Sequence, residues 1–147
     1  MNEYDKINYF NELLNKYICN INELVEYVVS LKLLSSYMTL FIPQIKNYIE
    51  NNKVDVLQKC VINIDDFQKF SFDDFSEMDD NESYNTYMPK IKNTDINSHN
   101  SNELFKLLLE IKNNSANLDR KYKYNIQKKI NKIQKIIFKV NELFTNN

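Results

Sequence analysis

The sequence predicts an all-α protein, a helical bundle of about five helices. Three observations carry the prediction: an apolar heptad repeat over residues 7–52, a cleaner one over residues 126–144, and the complete absence of glycine. With Ile7 at position a, the a series runs Ile7, Leu14, Ile21, Val28, Ser35, Ile42 and Ile49, and the d series Phe10, Tyr17, Leu24, Leu31, Met38, Ile45 and Asn52. Twelve of these fourteen are apolar in a chain that is 43% hydrophobic, about twice what chance supplies. Apolar g positions (Leu13, Tyr27, Leu34, Phe41, Tyr48) widen the stripe beyond the seam of a two-stranded coiled coil and favour a bundle.

The missing residues sharpen this. Ala116 is the one alanine and Arg120 the one arginine, Pro43 and Pro89 are the two prolines, and there are 24 asparagines and 18 lysines. Residues with G/C-rich codons are the depleted set, so the composition reads as that of an A/T-rich genome, and the choice of lysine over arginine carries no chemical message. Without glycine, tight hairpins with positive φ and phosphate-cradling loops lose their usual residue, which argues against a β-barrel, a dinucleotide fold or a P-loop. Asparagine is expected to supply the left-handed caps instead.

Element by element, residues 1–52 are too many for one helix in a compact domain of 147 residues, since unbroken they would reach about 78 Å. Breaks are expected at the capping residues Asn20 and Asn22 and at Pro43, giving helices near 3–18, 22–41 and 43–51. Leu24 to Ile42 is the most apolar stretch, but it holds Glu26 and Lys32, and it reads as a buried helix and not a membrane span. Val54, Leu57, Val61 and Ile64 extend the spacing into a fourth helix near 53–70. From Ser71 the periodicity fades, and 71–100 is expected to be a long acidic, Asn/Ser-rich loop or arm. Leu104, Leu107, Leu108 and Ile111 mark the next helix, and the last begins near Asn117 or Asp119 with the stripe Ile126, Ile130, Ile133, Ile137, Val140, Phe144. The expected organisation is a single domain: an N-terminal helical unit of 1–70, the arm of 71–100, and a C-terminal helical pair of 101–147 that packs back on the first unit.

Two features stand outside the stripes. The last helix carries eight basic residues before its first acid, Glu142; of these, Lys121, Lys128, Lys132, Lys135 and Lys139 fall at positions c and f, opposite the apolar stripe. Such a field can hold the phosphates of nucleic acid or of anionic lipid, although the bland reading is a solvated face. The second is residues 65–82, where eight carboxylates face one lysine, Lys69, for a net −7. An intramolecular role, the acids lying against the lysine face, is one reading. The sharper one makes Phe70, Phe72, Phe75 and Met78 a short partner-binding segment. Ser71 and Ser76 each have an acid three residues on, a weak acidic-directed kinase pattern, and Asp73-Asp74 and Asp79-Asp80 lack both the spacing and the glycine of a calcium loop.

Catalytic chemistry finds little footing. His99, the sole histidine, reads as a solvated loop residue; Cys19 falls at position f, an exposed thiol, and Cys60 beside Val61, a small core residue. Phe10, Tyr17, Phe41 and Phe138 read as core or interface filler, and only Tyr122 and Tyr124 have the flanking lysines that base stacking needs. No catalytic residue, metal ligand or cofactor site is expected. The sequence favours a non-enzymatic intracellular interaction or assembly protein (cytoplasm, nucleus or, for a viral source, virion) with a protein partner or self-association and no membrane contact. A nucleic-acid-associated protein using the lysine face is the alternative.

Overall fold

The computed structural model describes residues 1–93 and 98–145, with the backbone alone at Ser98 and His99. Among the described residues every regular element is a helix: α1 (Glu3–Ser30), α2 (Ser36–Asn51), α3 (Lys53–Ile62), α4 (Ile64–Lys69), α5 (Phe72–Glu77), α6 (Asp80–Lys92), α7 (Ser98–Ser115) and α8 (Arg120–Thr145). The all-α bundle is as expected, with eight helices where about five were anticipated.

The two long helices, α1 and α8, form its frame. Phe10 meets Phe144 edge to face at 5.6 Å. Seventeen residues on, the Tyr27 hydroxyl accepts from Asn125 at 3.1 Å, so the pair is antiparallel along most of its length. Leu13, Leu14 and Tyr17 of α1, Leu57 and Cys60 of α3, and Ile136, Ile137 and Val140 of α8 close the largest buried cluster. A second cluster joins Val28 and Leu33 to Phe72, Phe75 and Ile126. Met88, Ile91 and Phe105 make a third between α6 and α7. Along α1 the repeat assigned from Ile7 faces inward except at its start, where Ile7 is exposed; the turn at 31–35 interrupts it at the exposed Ser35, and in α2 only Met38 of the repeat is buried.

The expected breaks move. No break occurs at Asn20 or Asn22; α1 runs through both. A mid-helix asparagine costs about 0.7 kcal/mol or less, whereas each buried side chain that α1 sets on α8 returns roughly 1.5–3 kcal/mol, so packing decides. The apolar stretch Leu24–Ile42 is consequently not one helix: it is the end of α1, a turn at 31–35 and the start of α2. No helix among the described residues is long and apolar enough to cross a membrane. Pro43 does not open a helix either; it lies exposed inside α2, whose start is fixed earlier by Ser35. The Ser35 hydroxyl accepts from the Met38 N–H at 3.2 Å, and the Glu110 carboxylate of α7 accepts from the Ser35 backbone N–H at 2.7 Å. Asn114, one turn beyond Glu110, donates to the Leu33 carbonyl at 2.6 Å and pins the same turn.

The described part of the expected arm, residues 71–93 and 98–100, is mostly helical and not a long loop; residues 94–97 lie outside the described residues. Ser71 caps α5 by accepting from the Asp74 N–H, and the Asp79 carboxylate caps α6 by accepting from the Glu82 N–H at 2.7 Å. Four of the acids that suggested a solvated arm are first-turn residues, Asp73 and Asp74 in α5 and Asp80 and Glu82 in α6, where carboxylates complement the helix dipole; Glu77 ends α5. Lys112 of α7, only 4% exposed, completes the anchorage. Its ammonium donates to the Met78 carbonyl at 2.8 Å and to Asn113 Oδ1 at 2.9 Å, and lies 2.9 Å from Asp80. Asp80 against Lys112, with Tyr84 against Phe105 at 5.4 Å, sets α6 antiparallel to α7.

The left-handed position in the α1–α2 turn is held by Lys32, at φ 57°, and not by an asparagine. A non-glycine residue there costs about 1–2 kcal/mol, and glycine returns roughly 0.5–1 kcal/mol of that as chain entropy. Lys32→Gly is therefore expected to raise stability by about 0.5–1 kcal/mol, read as a higher urea midpoint at unchanged slope, and Lys32→Val to lower it.

Candidate functional site

The acidic-aromatic strip does not form a displayed surface. Phe72 and Phe75 are buried in the second core cluster, and Phe70 and Met78 are half-buried. Phe75 sits within 6 Å of Phe70, Phe72 and Tyr87, the Tyr87 contact being edge to face at 5.6 Å. The aromatics that seemed interleaved with acids for a partner alternate because the one-and-a-half-turn helix α5 has a core side and a solvent side. Ser71 is the cap of α5, and Ser76 is buried, donating to the Asp73 carbonyl at 2.8 Å.

Nor do these acids neutralise α8. Among the described residues their ion pairs go elsewhere, Asp66 to Lys90 at 3.2 Å and Asp80 to Lys112. What joins the segment to α8 is neutral: the Phe72 N–H donates to Gln127 Oε1 at 2.6 Å, and the Gln134 amide donates to the Phe67 carbonyl. Lys121, Lys128, Lys132, Lys135 and Lys139 are exposed together on one side of α8. At about 100° per residue they fall within an arc of roughly 60°, along about 27 Å of helix.

The aromatics of that helix divide differently from the expectation. Tyr122 is half-buried, while Tyr124 is 65% and Phe138 43% exposed, so Phe138 is not core filler. The Lys128 ammonium lies 5.9 Å from the Tyr124 ring centre, and Lys129 reaches across to Tyr27 at 5.2 Å. Beside this face, between α4 and α8, runs an open groove of about 500 Å³ lined by Gln68, Asn131, Gln134, Lys135, Phe138, Lys139 and Glu142. Phe138 could have been found from the sequence: it stands at position b of the register that places Ile126, Ile133 and Val140 at d.

A second exposed surface went unnoticed in the sequence. α2 is rich in apolar residues, yet only Met38 among them is buried. Leu40 is 75% and Tyr37 63% exposed, with Phe41 and Tyr48 half-buried on the same flank. Heptad spacing marked this helix as apolar but could not say that its neighbours would cover only one side.

Cys19 is exposed and Cys60 buried. Tyr17 Oη and Cys60 Sγ are 3.3 Å apart in the main core. Burial, and then the neighbouring Cys60, push the Tyr17 phenol up; burial pushes the Cys60 thiol up against the opposing hydrogen bond from Tyr17. Tyr87 is raised as well, by burial and then by the Glu82 carboxylate. The His99 side chain lies outside the described residues; its backbone belongs to α7, not to a loop. No group of three or more His, Cys, Asp or Glu able to hold a metal ion occurs among the described residues. No protein-family model matches the chain, and neither a curated protein nor a solved structure matches it.

Two predictions follow from these placements. Truncating Phe75 to alanine should cost about 3–5 kcal/mol in a urea melt, the price of a core aromatic, where a displayed binding residue would cost almost nothing. Stability should be pH-independent on account of Tyr17 and Cys60 below about pH 8, then decline as pH climbs past their ordinary values near 8.5 and 10. The sign follows from folded values lying above the unfolded ones: the neutral forms stabilise the fold, and alkali draws the chain toward the unfolded state, where the groups ionise freely. Urea midpoints from pH 7 to 11 should show this fall, and Tyr17→Phe should reduce its steepness.

Proposed function

We propose that this is a non-enzymatic interaction protein that self-associates through the exposed flank of α2. The observation that carries the reading is α2 itself, an apolar helix that gives one side chain to the buried core and leaves Tyr37 and Leu40 in water. Apolar residues gathered on one flank of a helix lower the free energy when a second surface excludes water from them, in proportion to the contiguous area covered, which isolated exposed side chains do not supply. A second copy of the chain is the occupant that electrostatics permits most readily. At a formal net charge of −1 the protein has almost no long-range self-repulsion to overcome. The flank is itself nearly uncharged, with Tyr37, Leu40, Phe41, Gln44 and Tyr48 along it and the nearest lysine, Lys46, held by Glu26 at 3.5 Å. A two-fold arrangement would lay α2 against α2, each presenting the same patch.

The test is sedimentation velocity over a hundredfold range of concentration. A monomer–dimer equilibrium is expected, and Leu40→Glu should weaken it at least tenfold while the far-ultraviolet circular dichroism and urea midpoint stay unchanged, since residue 40 is already in solvent. A strictly monomeric protein at every concentration would remove the reading.

A further inference from the structure

The exposed face of α8 is built as two parallel rows. Lys121, Lys128 and Lys135 recur every seven residues at position f, and Tyr124, Asn131 and Phe138 recur every seven residues at position b, each one turn after a lysine. All six are exposed. Lys132 and Lys139, at position c, continue the cationic side. The repeat distance is about 10.5 Å, so cations and planar side chains advance together along roughly 27 Å of the helix. Nothing in the core requires this order: the apolar stripe of α8 is on the opposite side, and a merely solvated face gains nothing from displaying a tyrosine and a phenylalanine.

We propose that this face binds single-stranded nucleic acid, with the lysines on the phosphates and Tyr124 and Phe138 stacked on bases. The pairing of a charged row with an adjacent row of rings is the arrangement by which single strands are held without sequence preference, because every base offers a π-face and every nucleotide a phosphate. A duplex keeps its bases stacked inside and would use only the lysines. An anionic membrane would use the lysines too, but the apolar side that would enter it is packed on α1 and α3. The groove beside Phe138 gives an unstacked base somewhere to lie, flanked by Lys135 and Lys139 and by the Asn131 and Gln68 amides. Asn131 Oδ1 already accepts from Gln127 at 2.8 Å, which orients its amide nitrogen as a donor. Glu142 closes the groove with the one opposing charge, so Glu142→Gln should tighten binding. Roughly eight stacked nucleotides, at about 3.4 Å each, fit the length of the face.

The experiment is fluorescence anisotropy of the full chain with labelled single-stranded DNA and RNA of about twelve nucleotides and mixed sequence, and with the matching duplex, across a salt series. Binding to the single strands should be tighter than to the duplex. Its salt dependence on a log–log scale should have a slope of about −3.5, from five lysines at roughly 0.7 each. Lys128→Gln with Lys135→Gln should flatten that slope by about 1.4. Tyr124→Ala and Phe138→Ala should each weaken binding by roughly fivefold or more and leave the slope alone. All four positions are exposed, and an unchanged urea midpoint certifies the variants. The proposal is overturned by no binding at low salt, by a duplex bound as tightly as the strand, by indifference to both ring deletions, or by capture on phosphatidylserine vesicles without oligonucleotide binding. Leu40→Glu should leave oligonucleotide binding intact, so the outcome is separate from that of self-association.

Discussion

The contact between α1 and α8 sets the terms for everything else in the molecule. Two helices of about 40 Å, near opposite ends of the sequence, lie antiparallel with Phe10 on Phe144 and Tyr27 beside Asn125, and α3 fills the space between them with Leu57 and Cys60. Such a contact explains why α1 runs on through two asparagines that were candidate caps. Helical propensity is a matter of tenths of a kcal/mol per residue, while a continuous buried stripe is worth many times that. The same packing fixes which side of α8 is left to solvent, and hence where its lysines and rings are displayed.

The second constraint is local and polar. Lys112 is a buried ammonium with acceptors from Met78, Asn113 and Asp80, and it ties α7 to the junction of α5 and α6. A lysine in that position is tolerated only because its donors are met. One α7 turn toward the N-terminus, Leu108 packs against the Phe72–Phe75 cluster and against the α6–α7 cluster, and two residues before Lys112, Glu110 caps α2. A short stretch of α7 thereby organises α2, α5 and α6 at once. It converts a strongly acidic segment, which on its own composition would stay solvated, into two capped helices.

These two constraints also separate the surfaces that remain available. The aromatics of 70–78 are spent on the core, and the acids around them serve helix starts and lysines of α6 and α7. Among the surfaces that stay exposed are one flank of α2, apolar and nearly uncharged, and one face of α8, cationic and set with rings. They differ in the chemistry they offer, so the proposed self-association and the proposed oligonucleotide binding would not compete for the same residues.

Periodicity alone determined the helical class, the inner faces of α1 and α8, the core position of Cys60 and the exposure of Cys19 and of the five lysines, because these follow from residue spacing on a single helix. Only the tertiary structure decided where helices end, since Lys32, Ser35 and Glu110 fix the α1–α2 turn through contacts 75 residues apart in the chain. It also decided the fate of residues 71–92. Their order comes from Lys112 and from the burial of Phe72 and Phe75, interactions with partners that no window of sequence contains. The exposed flank of α2 belongs with these: an apolar stripe says that a helix seeks cover, and only the positions of its neighbours say how much of that cover the chain itself provides.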